Sequence, residues 1–393
     1  MRVRAPVRRF RNLFRITCAV VAASVAGNLA ATAASAASPK KSGSADTALV
    51  AAVKATNTAY RGTNRPVDPT PRPAVAGKHI AVISAGQASL SAMMPTNAAV
   101  DAAEQLGWRA EVYDGKLTPA TYASLVRQAI ASNVDGIVLV AIDCQAVKQP
   151  LVEAKEKGIA VTAVSAFDCD DPKGGGDAKG LFSAPINVGT SAKGLGSWVA
   201  SYGADQANYI IAKSKNRARI LMVRDPEFTT LEYIDEGFQK TIERSKGTKI
   251  VGTVDITAAD FLSNQLVAKL QAELLRHPDA NWIRSPYTYA SVLGVVPALG
   301  AGSAGVQVMG GEGYEPELDL MRADRVAAAN VVAPEWQGWA AIDTLNSVFR
   351  HTKPVDSGLG WTMVDRTHNL PRTGPFEPSV DFKAAYRKAW GLG

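Results

Sequence analysis

Short apolar runs alternate with helix-length stretches from residue 78 to residue 350, and few folds accommodate that alternation. The first unit, residues 78–107, sets the pattern. Ile80-Ala81-Val82-Ile83 is short and β-branched enough for a buried parallel strand. A small, polar loop follows at Ser84-Ala85-Gly86-Gln87. Apolar residues then recur at helical spacing through Val100, Ala103 and Leu106, and Gly107 ends the helix. Further strands are expected at 109–113, 136–142, 160–164 and 184–188, with helices at 94–106, 119–132 and 145–157 between them. After Val188 the grammar repeats, with strands at 218–223, 249–254, 281–285, 306–309 and 326–331. The helices of this second series fall at 191–214, 231–244, 259–276 and 334–350. Such a series implies an α/β protein of two Rossmann-like lobes, each a parallel sheet covered by helices on both faces. Ligands of open α/β sheets bind beyond the carboxyl ends of the strands. The loop 84–94 is therefore a candidate ligand loop.

Composition bears mainly on what the chain does not bind. The formal charge is +7, but six arginines and no acid fall within the first thirty-six residues, so the remainder carries roughly +1. That is no nucleic-acid footprint. The arginine-rich start, the alanine-rich apolar run 16–34 and the small residues Ala34-Ser35-Ala36 read as a signal peptide over 1–36. The alternative is a retained membrane helix, which the interrupting Asn28, Ser and Thr residues disfavour. The expected location is exported, in the periplasm or cell envelope. Residues 37–77 read as an N-terminal extension. It holds a short helix near 47–55 and a proline-rich linker over 64–77. Export permits a disulfide between Cys144 and Cys169, which both follow apolar strands, though two free thiols remain the alternative.

No motif demands catalysis, so no catalytic residue is expected. Gly300-Ala301-Gly302-Ser303-Ala304-Gly305 matches a dinucleotide fingerprint in letters, but it follows a helix and precedes a strand, the reverse of what the phosphate site requires. Gly189–Gly194 has phosphate-loop spacing with Leu195 where lysine is needed. The four histidines are scattered, Asp168-Cys169-Asp170-Asp171 reads as a polar turn, and there is no GxSxG. Neither metal nor cofactor is expected. What remains is a set of residues in or near the loops after the strands: Gln87, Leu90, Asp143, Phe167, Phe228, Tyr287, Tyr289, Glu312 and Trp336. Aromatic faces with a few carboxylates suit a ring-shaped or hydroxyl-rich small molecule, and core packing is the competing account of each ring.

The order of these units resembles the type I periplasmic binding proteins, especially the ribose-type sugar-binding components of ABC transporters. The carrying stretches are KHIAVIS, VDGIVLVAIDCQAV, KEKGIAVTAVSAFD, PINVGTSAKGLGSWVA, DEGFQKTI, LLRHPDANWI, VQVMGGEGYEPELDLMRADRVAAANVVAPEWQGW and DFKAAYRKAWG. The resemblance spans nearly all of 78–393, and the leader helix with its linker is similar to a subgroup of unassigned ligand. It implies lobes joined by three crossing segments near 185–188, 331–333 and 354–362. Lobe 1 is then 78–187 plus 333–355, and lobe 2 is 188–332 plus 356–393. It also implies a non-enzymatic, monomeric protein that captures a sugar or sugar-like molecule and delivers it to a membrane permease. The same clamp serves, alternatively, as a ligand-presenting module for a chemoreceptor or sensor kinase. Several sugar-gripping positions depart from the family pattern. The first loop lacks an aromatic residue, Leu231 stands where arginine is common, Thr288-Tyr289 replaces an Asn-Asp pair, Glu312 replaces an aspartate and Val332 a glutamine. These departures raise an aromatic or alicyclic acid as a variant ligand, with Arg224 as its partner.

Overall fold

The structure, a computed structural model, describes residues 43–190, 194–300 and 305–392. The expected signal peptide lies outside the described residues. Helix α1 (Gly43–Ala59) precedes the first lobe. That lobe contains β1 (His79–Ser84), α2 (Leu90–Gln105), β2 (Arg109–Asp114), α3 (Pro119–Ala131), β3 (Gly136–Val140), α4 (Lys148–Glu156) and β4 (Ala160–Val164). The second series opens with α5 (Leu195–Lys213), β5 (Arg219–Arg224), α6 (Thr229–Glu243), β6 (Lys249–Asp255), α7 (Ala258–Leu262) and α8 (Leu266–Arg276). It continues through β7 (Trp282–Arg284), α9 (Thr288–Ala290), α10 (Val296–Leu299), β8 (Gln307–Met309), α11 (Glu315–Arg322) and β9 (Ala328–Val331). The chain closes with α12 (Pro334–Phe349), β10 (Thr362–Asp365) and α13 (Phe382–Trp390).

Two sheets result. One is fully parallel, in the order β2-β1-β3-β4; the other runs β10-β9-β8-β7-β5-β6 and is parallel except where β10 pairs with β9. Buried apolar runs such as Ile137–Val140 and Leu221–Val223 need cover on both faces, and the crossover helices supply it. Register leaves the carboxyl ends flush: Ser84 lies opposite Val140 and Asp114, and Val140 opposite Val164. In the second lobe Met222, Arg284 and Met309 are likewise aligned. Every loop that leaves these ends is thus delivered to one edge.

Helix packing depends on glycine where the backbones meet. A Cβ at Gly203 of α5 would lie 1.9 Å from the Ile234 carbonyl oxygen, and one at Gly237 of α6 would lie 1.8 Å from that of Ala200. Any side chain there drives the two helices apart.

Three expectations need correction. Residues 184–188 form no strand; they run along the edge of β4, held by Ser183 N–H to Val161 O at 2.8 Å and by Thr162 Oγ1 to Ala184 O at 2.8 Å. β10 lies just past a stretch read as a crossing. The tail does not stay with the second sheet: α13 returns to α12, where Phe382, Tyr386 and Trp390 join Trp336 and Trp339 in the first-lobe core. Five large rings can be dehydrated together only there.

The extension before β1 touches both sheets. Ala52 and Ala59 of α1 pack into the core over β5 and β10. The chain then pairs with the last crossing through Thr63 N–H to Trp361 O (2.8 Å) and Arg65 N–H to Gly358 O (2.8 Å). It ends on the first lobe, where Arg72 meets the buried Asp343 carboxylate at 2.6 Å.

Candidate functional site

Both sheets direct their carboxyl edges at one cavity of ≈ 920 Å³, partly open to solvent and with room for a small organic molecule. The first-lobe wall is built of small side chains, among them Ala85, Ser89, Ala92, Ala141, Ala163 and Ala166. Leu117, Ala141 and Ser165 also line the cavity, and all three are held at positive φ (52°, 54° and 51°). For residues other than glycine this backbone costs energy, and it turns the chain sharply as it leaves β2, β3 and β4.

The loop after β4 is folded about one carboxylate. Asp168 accepts hydrogen bonds from the N–H groups of Cys169, Leu181 and Phe182 at 2.7 to 3.0 Å. Cys144 and Cys169 form a disulfide with a Cα separation of 5.1 Å, which resolves the open alternative and ties the loops after β3 and β4 together. Asp143, next to Cys144, accepts from Phe167 N–H at 2.7 Å. Phe167, Asp170, Asp171 and Phe182 are thereby presented to the cavity.

The second-lobe wall is aromatic and acidic. Phe228 and Tyr233 come from the loop after β5 and from α6, Tyr287 from the loop after β7, Tyr289 from the short α9, and Trp198 from α5. Asp225 accepts from Tyr287 Oη at 2.8 Å and from Glu227 N–H at 3.1 Å. Burial pushes its carboxyl up to about 7, against those two hydrogen bonds. Glu312 follows β8 and accepts from Thr288 N–H at 2.7 Å. Burial pushes it also up to about 7; the neighbouring Glu317 adds to the rise, while Thr288 N–H and the Ser91 hydroxyl oppose it. What surface Glu312 retains faces the cavity.

Polar contacts cross from lobe to lobe. Thr229 N–H, at the start of α6, donates to Asp143 Oδ2 at 2.9 Å, so a first-lobe acid caps a second-lobe helix whose own N-cap residue, Phe228, offers no side-chain cap. Tyr233 Oη donates to Asp171 at 2.9 Å, and Ser91 Oγ to Glu312 Oε2 at 3.2 Å. Lys173 lies 3.4 Å from Glu236. The lobes are described in contact across the cavity.

The sequence-derived residues separate into two groups. Phe167, Phe228, Tyr287, Tyr289 and Glu312 line the cavity. Gln87, Leu90, Asp143 and Trp336 do not. Gln87 donates its backbone N–H to Asp114 at 2.9 Å, Leu90 opens α2 away from the wall, and Asp143 stands behind it as a bridge between lobes. Trp336 is fully buried, stacked on Phe382 at 5.1 Å, with Nε1 donating to Ser357 O at 2.9 Å. The inner face of α12 is core, and Trp336 belongs to it. Arg224, expected as an acid's partner, forms a two-point pair with Asp255 at 2.9 and 3.0 Å instead. The next residue, Asp225, is the one that faces inward; the strand-end rule pointed at this loop, and the alternation of side chains decided between its two charges. Tyr233 and Trp198 were missed because they sit within helices.

The sequence profile of the periplasmic binding protein domain matches residues 80–353. No curated protein matches. Among solved structures, an ABC transporter solute-binding protein from Agrobacterium vitis with bound allitol superposes with a TM-score of 0.61 at 18% identity, covering 74% of this chain and 96% of its own. A solute-binding protein from Burkholderia graminis in complex with D-arabinose gives 0.62 at 19% identity, over 76% and 98%. The Caulobacter myo-inositol binding protein bound to myo-inositol gives 0.62 at 18%, over 77% and 97%. At these identities the likeness is one of fold.

Proposed function

Because the chain belongs to the periplasmic binding protein family, we propose that it is the exported solute receptor of an ABC importer, holding a small molecule between its lobes and presenting it to a membrane permease. The observation that carries this reading is the cavity between the carboxyl edges of two sheets, bridged by Asp143 to Thr229 and Ser91 to Glu312. Contacts that form only when the lobes meet shift an open–closed equilibrium toward closure when a ligand touches both walls. No reacting group is required for such work.

The cavity admits a sugar, polyol or similar ring, and its carboxylates call for a ligand that brings hydrogen-bond donors or positive charge. The allitol, D-arabinose and myo-inositol held by the structural neighbours are of that kind. An aromatic or alicyclic acid is disfavoured: among the described residues no Lys, Arg or His lines the cavity, and Arg224 is already paired with Asp255.

The test is small-angle scattering combined with thermal unfolding. Polyols, sugars and amines are added singly to the purified protein. A true ligand lowers the radius of gyration and raises Tm by mass action. Chemical turnover of a bound compound, with no compaction by any, defeats the reading.

A further inference from the structure

The cavity's wall is unbalanced in both charge and hydrogen-bonding capacity. Five carboxylates line it (Asp168, Asp170, Asp171, Asp225 and Glu312), and no Lys, Arg or His lines it among the described residues. The nearest cations are committed elsewhere, Lys173 to Glu236 and Arg224 to Asp255. Several hydroxyl donors are committed inside the protein as well. Tyr287 donates to Asp225, Tyr233 to Asp171, Ser91 to Glu312 and Ser165 to Gln337 Oε1. A sugar offers acceptors as well as donors, and its ring oxygen needs a donor from the protein. Thr230 Oγ1 is one lining hydroxyl left without a partner, and the five carboxylates accept only.

Two acids buried elsewhere are paired with arginines, whereas Glu317, sealed behind the wall, is held by the Gly311 and Gly313 N–H groups and the Thr288 hydroxyl. Asp343 is paired with Arg72 and Asp235 with Arg284, each at 2.6 Å. Asp225 and Glu312, which flank Tyr287 at its hydroxyl and at the following backbone N–H, have neutral donors only. A buried carboxylate without a cation is costly unless something brings the charge to it. The other surfaces available are ring faces: Phe261 stacks with Tyr289 at 5.0 Å and Phe167 lies 4.8 Å from Tyr233. Aromatic faces attract cations and shed water from apolar groups.

We infer that the cavity takes an organic cation: a protonated or quaternary amine on an apolar or ring-shaped body, its charge lodged at the Asp225–Tyr287–Glu312 side and its body against the rings. The inference rests on the solute-capture reading above and names its substrate class. It also fixes the sign of a pH effect. Glu312 is faced by Glu317, Tyr202, Tyr314 and Ser91; Asp225 is faced by Tyr287, Glu227 and the Arg284-paired Asp235. Both carboxyls are held up by burial, so a cation must displace their protons, and its affinity rises as pH increases through 7.

Titration calorimetry on the full-length exported protein with matched pairs tests it: choline against 3,3-dimethylbutan-1-ol, phenethylamine against 2-phenylethanol, and glucosamine against glucose, with myo-inositol and D-arabinose as uncharged polyols. At least one amine is expected to bind tenfold or more tightly than its neutral partner, and more tightly at pH 8 than at pH 6. That preference is expected to shrink at least tenfold in Glu312→Gln or in Asp225→Asn, two independent variants whose folding is checked by thermal unfolding. A polyol that binds while no amine is preferred over its neutral partner overturns the cation and leaves solute capture intact. Failure of every amine in the panel likewise overturns it, while compaction by any other compound in the scattering experiment keeps the capture reading separate.

Discussion

Buried carboxylates occupy two kinds of surroundings in this molecule. In the packed interiors Asp343 lies against Arg72, and Asp235 against Arg284, with side chains nearly sealed from solvent. At the cavity Asp225 and Glu312 are almost as deeply set but meet only hydroxyls and backbone N–H groups. Burial raises the carboxyls of both sets; the arginines oppose the rise in the packed interiors. Hydrogen bonds from neutral donors leave both cavity carboxyls held up to about 7 by burial. A sealed acid is met by the fold itself, with an arginine at Asp343 and Asp235 and with the Gly311 and Gly313 N–H groups and the Thr288 hydroxyl at Glu317. An acid on a cavity wall can be left for a ligand to neutralise, and the deficit then becomes a source of affinity.

The comparison is broken most severely by removing an arginine from the compensated set. Arg284→Met leaves Asp235 buried beside an apolar chain, and the expected loss of stability is about 3–5 kcal/mol, read by urea unfolding. The double change Arg284→Met with Asp235→Leu should recover most of it. If the single variant is as stable as the parent, the pair does not differ from the cavity acids in the way described.

Next in size is the pH response of the uncompensated set. Glu312 has its ordinary value near 4.5 when hydrated and about 7 in the closed form. The closed form therefore holds the proton more tightly. Its stability is highest below about 4.5, falls as pH rises toward 7 and stays low above, by roughly 3 kcal/mol for this group. Ligand-free protein is expected to be compact at pH 5 and expanded at pH 8 in small-angle scattering, with Glu312→Gln compact at both. Equal expansion of the variant at pH 8 would remove Glu312 from the account.

How much of this was legible beforehand follows from what each feature depends on. The strands and crossover helices were readable because burial on both faces writes continuous apolar runs such as Ile137–Val140 into the sequence. The strand-end rule then placed Phe167, Tyr287 and Glu312 at the cavity. Trp336 was misread because a ring near a crossing looks the same whether it faces a ligand or Phe382, and the return of α13 to α12 decides which. β10 is four residues long and antiparallel at an edge, too short to imprint a period. The pairing of Arg224 with Asp255 depends on a register between β5 and β6 that neither strand states alone.

Within the cavity set, Tyr287→Phe removes the one side-chain donor bonded to Asp225. A hydrogen bond to an ionised group contributes about 1.5–3 kcal/mol. The expected loss is about 1.5–2 kcal/mol at pH 8, where Asp225 is ionised, and less at pH 5, where it is protonated; unfolding curves at the two values check it. A loss that is the same at both would mean that the ring's packing matters and the hydroxyl does not.

The smallest effect belongs to Asp143, which joins the two lobes without touching the cavity. One oxygen serves Phe167 N–H within the first lobe, and the other serves Thr229 N–H across the gap. In Asp143→Asn the amide can accept only one of these two bonds, and the other N–H faces an NH₂ donor. The bond made only on closure is the one that gives way at least cost to the ligand-free fold. Ligand affinity should then fall about fivefold, near 1 kcal/mol, while the Tm of ligand-free protein stays where it was. A lowered Tm with unchanged affinity would assign Asp143 to holding the Cys144 and Cys169 loops in place, and closure would rest on Ser91 to Glu312, Tyr233 to Asp171 and Lys173 to Glu236.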